Sequence, residues 1–189
     1  MSGDATYQDL RARAEGSNVD PTTLLATDYL NHLNEPVMLL EMLPDMPDLS
    51  EELLAWRPKS YTQHFEESAI ADRDLAIEAY PHVPERYRLP FEFTIRVLTR
   101  RVEALREGTM EALAQEDGSR ARQIVTEGLS SIHELMGVAN AIIHGCASRD
   151  EVQVQQSDLT DVPAEAAQAS EDAEVEAIMS QDEIDSLFN

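Results

Sequence analysis

Asp28 and Asn31 stand three residues apart, with His32 and Glu35 close behind, and this spacing puts an acid and an amide on one face of a helix. Such a pair can hold a water molecule in line with a bond that is already reactive, such as an acyl phosphate, where positioning and one polar group are enough. Glu111 and Gln115, four residues apart, repeat the combination further along. His133 offers a different chemistry, because an imidazole on an exposed helix can act as a nucleophile toward an activated phosphoryl group. Polar residues at these spacings also occur on ordinary solvated helix faces, and a histidine beside an apolar seam is commonly structural. Asp28 with Asn31 leads because Asn31, His32, Asn34 and Glu35 gather so many hydrogen-bonding groups. No metal or cofactor is expected on this chain: His32, His64, His82, His133 and His144 form no close ligand pair, Cys146 has no second cysteine, and there is no glycine-rich phosphate loop.

The elements that position these residues read as helices throughout, giving an all-α helical bundle that contains a long antiparallel hairpin. Residues 1–20 are expected to be a flexible N-terminus and residues 21–148 the folded domain. Thr22 or Thr23 can cap a helix reaching Asn34, and Pro36 suits the start of a second through Leu43. Asp48 with Glu51 forms a capping box ahead of Leu53, Leu54 and Trp56. Short helices are expected around Tyr61 to Glu67 and Ala71 to Tyr80, with Pro81, Pro84 and Pro90 interrupting the chain afterwards. The hairpin, about residues 90–146, is the clearest element. Phe91, Ile95, Leu98, Val102 and Leu105 recur at spacings of four and three, and after the turn signal Asp117-Gly118 a second seam runs through Val125, Gly128 or Leu129, Ile132, Leu135, Ala139, Ile142 and Cys146. Two seamed helices joined by a short turn pair antiparallel. Dimerisation is one way such a bundle could be completed.

Charge divides the chain. From Asp150 onward there are twelve acidic residues and no Lys or Arg. The composition of residues 149–177 (Glu, Asp, Gln, Ser and Ala, with Pro163) cannot bury enough apolar surface to offset the entropy of ordering, so this stretch is expected to be a disordered acidic linker. Beyond it, residues 178–189 specify a short docking helix. Ser180 is the N-cap and Glu183 closes the capping box, while Met179 and Ile184 form the hydrophobic staple. Ile184, Leu187 and Phe188 share one face, and Asp182, Glu183 and Asp185 favour the positive N-terminal end. A helix this short is marginal alone in water, so it should order when a groove on a partner accepts its apolar stripe.

The run Ile178, Ser180, Gln181, Glu183, Ile184, Asp185, Leu187 and Asn189 resembles the CheY-binding peptide of the flagellar switch protein FliM, and is similar to the endings of some CheZ-like chemotaxis proteins. The resemblance covers about a dozen residues. It implies that Ser180, Gln181, Asp182, Glu183, Ile184, Asp185, Leu187 and Phe188 bind a phosphorylated CheY-type response regulator, which would carry Mg2+ on its own acidic site, and that the chain promotes loss of the phosphoryl group or acts as a non-catalytic adaptor. The peptide is N-terminal in FliM, so a soluble regulator fits better than a switch-ring subunit. CheZ-like phosphatases present Asp-x-x-x-Gln from one helix. The nearest local match here, Glu134 to Val138, has valine at the amide position, so that pair does not carry over. Asp28 with Asn31 resembles instead the acid-x-x-Asn pairing of CheC and CheX phosphatases. The segment from His133 to Ala139 resembles the phosphorylated segment of histidine phosphotransfer domains, with Met136 where that family has lysine.

The chain of 189 residues accommodates one domain with tails. A net charge of −23 opposes binding to nucleic acid or an anionic membrane. The single cysteine excludes an internal disulfide and suits a reducing compartment. No signal peptide is recognisable, and the most apolar stretch, Val37 to Leu43, is broken by Glu41 and far too short to span a bilayer. A cytoplasmic location is expected. The flanking of Arg96, Arg100, Arg101 and Arg106 by Glu92, Glu103 and Glu107 suggests ordinary helix ion pairs.

Overall fold

Two long helices, Glu85–Ala114 (α6) and Gly118–Ile143 (α7), form the antiparallel hairpin that the apolar seams specify. A computed structural model describes residues 2–146; the linker 149–177 and the docking helix 178–189 lie outside the described residues. Phe91, Leu98, Val102 and Leu105 of α6 are buried, as are Val125, Ile132, Leu135, Ala139 and Ile142 of α7, while Ile95 is half-buried and Cys146 lies exposed past the end of α7. Gly128 occupies a seam position packed against Leu105 of α6. A Cβ there would lie 2.5 Å from Leu105 Cδ1, so the absence of a side chain lets the helices approach. The turn between them uses Asp117, whose Oδ1 accepts the Arg120 amide at 2.8 Å as an N-cap, and Glu116 in left-handed backbone at φ 57°.

Five shorter α-helices precede the hairpin: Ser2–Ala14 (α1), Leu30–Met42 (α2), Ser50–Ala55 (α3), Tyr61–Glu66 (α4) and Arg73–Ala79 (α5). There is no strand among the described residues. α2 lies along the hairpin and contacts both α6 and α7.

Several expectations are corrected. Residues 1–20, read as flexible, contain α1. Its Leu10 and Ala14 are buried at helical spacing, and Arg13 grips Glu78 of α5 with two bonds of 2.7 and 2.6 Å. The helix expected from Thr22 to Asn34 and the one expected to start at Pro36 are replaced by a loop and a single α2 running through Pro36. Pro36 lacks the N–H that would bond the carbonyl four residues back, at His32. The Trp56 indole N–H donates to that carbonyl at 3.1 Å, which satisfies the acceptor that proline leaves open. Thr22 and Thr23 are not caps; their amides donate to Asp20 Oδ1 at 2.7 and 3.1 Å, and the loop turns at Leu24 with φ 63°. The Asp48–Glu51 capping box does not form. A 3-10 turn opened by Pro47 leads into α3, whose N-cap position, Leu49, contributes no side-chain bond. Pro84 caps α6, and Pro90 sits buried inside it.

Candidate functional site

α2 is tied to α7 near both of its ends. Beyond its C-terminus Asp45 receives two bonds from the Arg122 guanidinium, at 2.5 and 3.0 Å, and Arg122 holds that carboxyl below the usual carboxylate range. Before its N-terminus Thr23 Oγ1 donates to the Ile143 carbonyl at 2.5 Å. Between these ties the two helices leave an open groove of about 420 Å³ lined by Asn31, Asn34, Glu35, Val37, Met38, Glu41 and His133.

Two of the residues singled out from sequence, Asn31 and His133, therefore share one site although about a hundred residues separate them in the chain. His133 is exposed, with Nε2 3.6 Å from Glu41 Oε1, just beyond hydrogen-bond reach. The groove offers two amides, two carboxylates and one imidazole beside the apolar Val37 and Met38. That set can bind and orient a water molecule or a polar group brought in by a partner. It contains no Lys or Arg to hold an anion.

The other sequence candidates fall elsewhere. Asp28 lies in the 3-10 turn Thr27–Tyr29 ahead of α2; its Oδ2 accepts from Asn18 Nδ2 at 2.8 Å, and it does not line the groove. Asp28 and Asn31 thus do not line the groove together. Glu111 and Gln115 are exposed where α6 ends, with Gln115 Nε2 3.4 Å from Glu111 Oε1. Met136, at the position where the phosphotransfer family has lysine, is half-buried.

His32, expected on the polar face, is buried instead. Its Nε2 accepts the Lys59 amide at 2.9 Å, its ring stacks on Trp56 at 5.2 Å, and His64 lies 5.8 Å away. Burial, followed by the charges of His64 and Lys59, lowers its pKa to about 4. Burial also lowers the pKa of His64, whose Nε2 has no hydrogen-bond partner. This cluster fixes the start of α2 and so the position of Asn31.

The ion pairs expected along α6 are not made. Among the described residues Arg96, Arg100, Arg101 and Arg106 have no carboxylate within 4.0 Å, while Glu92 is taken by Arg88 at 3.5 Å and by the Tyr80 hydroxyl at 2.9 Å. No group of three metal-ligating side chains occurs, and no helix is long and apolar enough to cross a membrane, among the described residues.

Glu41 and Met38 were missed as site residues. A signal was available: no Lys or Arg occurs between Arg13 and Arg57, which marks one side of the domain as acidic. What fold and groove define is an all-α hairpin domain with a polar surface groove. No protein-family model, curated protein or solved structure matches the chain.

Proposed function

We propose that the chain is a chemotaxis regulator that captures a phosphorylated CheY-type response regulator through residues 178–189 and promotes loss of its phosphoryl group at the groove between α2 and α7. The observation that carries this reading is the terminal run itself, where cap, staple and apolar stripe coincide in register with the CheY-binding peptide. The groove adds a place for chemistry. The Asn31 amide orients a water in line with the acyl phosphate, the P–O bond to the carboxylate breaking as the water oxygen bonds phosphorus, and His133 lies on the α7 side of the same groove.

Catalysis is tested by titration. A regulator of this kind shortens the lifetime of the phosphorylated protein at substoichiometric amounts. Acceleration that vanishes below one equivalent would contradict the reading.

The engagement of Asp28 by Asn18, outside the groove that Asn31 lines, favours a second reading, a non-catalytic adaptor that localises or sequesters the phosphorylated partner. Phosphotransfer to His133 is the least supported, because Met136 stands where that family has the lysine that supports the phosphoryl group. The location proposed for this activity is the cytoplasm.

A further inference from the structure

The large apolar side chains most open to water among the described residues fall together in one stretch: Met38 is 53% exposed, Met46 51% and Leu54 47%. That stretch, α2 to α3, holds six exposed carboxylates from Glu35 to Glu52 and no Lys or Arg. Among the described residues Asp45 is paired with Arg122 and Glu41 lies 3.6 Å from His133 Nε2, while Glu35, Asp48, Glu51 and Glu52 are in no ion pair. Exposed methionines amid carboxylates that are mostly unpaired describe an adaptable apolar contact that selects its partner by sign. Nucleic acid and anionic lipid are repelled. A second copy of this chain, at net charge −23, would set the same carboxylates against each other.

We propose that the face formed by α2 and the turn into α3 docks a basic, lysine- or arginine-rimmed apolar hollow on the protein that the terminal peptide captures. The identity of that protein rests on the proposed function; the chemistry of the contact does not. Met38, Glu35 and Glu41 belong to both this face and the groove, so a partner seated here covers Asn31 and His133. Tethering by the peptide raises the partner's local concentration to the order of millimolar, at which a weak second contact becomes occupied.

The test uses the full chain with isotopically labelled methionine methyls, titrated with a phosphorylated CheY-type response regulator. The methyls of Met38 and Met46 shift, together with that of Met179 in the terminal peptide, while Met110 and Met136 on the hairpin stay still. Met46→Lys weakens binding about tenfold without changing Tm, because the side chain is half exposed. A shift of Met179 alone, or unchanged affinity of Met46→Lys, overturns the docking face and leaves the peptide reading intact. Shifts of Met38 and Met46 without Met179, retained in the Ile184→Ala, Phe188→Ala double variant, support the face and overturn the peptide. If no methyl moves, both are overturned.

Discussion

Asn31 and His133 bring exposed polar groups to the groove and bury almost nothing, so their removal separates function from folding. Asn31→Ala should lower the rate of phosphoryl loss from the bound partner by about tenfold or more and leave Tm unchanged, since alanine is the better helix former. An equal rate in phosphate-release assays would remove Asn31 from the site. His32 behaves in the opposite way, as a buried neutral histidine. Its pKa falls from 6.5 in the unfolded chain to about 4 in the folded one. The unfolded state therefore takes up the proton first, and stability is complete above about pH 6.5 and lost progressively as pH falls toward 4. Replacement by glutamine keeps an acceptor for the Lys59 amide but removes the titration. In denaturant melts between pH 7 and pH 4.5 the wild type should lose stability relative to His32→Gln, and parallel curves would show that the histidine does not report its burial.

Helix pairing in the hairpin depends on which glycine meets what. A Cβ at Gly108 would find Ile124 at 3.6 Å, an ordinary contact, whereas one at Gly128 would find Leu105 Cδ1 at 2.5 Å. Gly108→Ala is expected to stabilise by about 0.5 to 1 kcal/mol through helix propensity, and Gly128→Ala to destabilise through overpacking of about 1 to 3 kcal/mol, partly offset by the same propensity. Urea melts give the order, and the reverse order would contradict the packing. Trp56→Phe leaves the His32 carbonyl without a donor beside Pro36 and should cost about 1 to 3 kcal/mol. This tie explains what was legible in sequence and what was not. The hairpin seams were legible because their spacing is local and repeated. Continuous α2 was not, because a residue twenty positions downstream supplies the missing bond. α1 was hidden because Leu10 and Ala14 are too few to make a pattern until α5 covers them. His133 and Asn31 were each visible as residue types, but their meeting depends on how α2 lies against α7.

In the proposed function, capture by residues 178–189 is separate from chemistry in the described domain. Every Lys and Arg of the chain lies at or before Arg149, and the twelve carboxylates from Asp150 onward stand against none. The expected docking helix was read from consecutive residues and lies outside the described ones; the groove was legible only in part, because Glu41 and Met38 line it through packing. The central claim is that a captured phosphorylated partner loses its phosphoryl group at the groove. The most direct measurement is the rate of phosphoryl loss from a phosphorylated CheY-type response regulator with trace amounts of three proteins: the full chain, the chain ending at Ala177, and Asn31→Ala. The account predicts catalytic acceleration by the full chain, strongly reduced by removal of residues 178–189 through weaker binding and reduced by Asn31→Ala at unchanged affinity. Tight binding by the full chain with no acceleration at any ratio would contradict it and leave an adaptor.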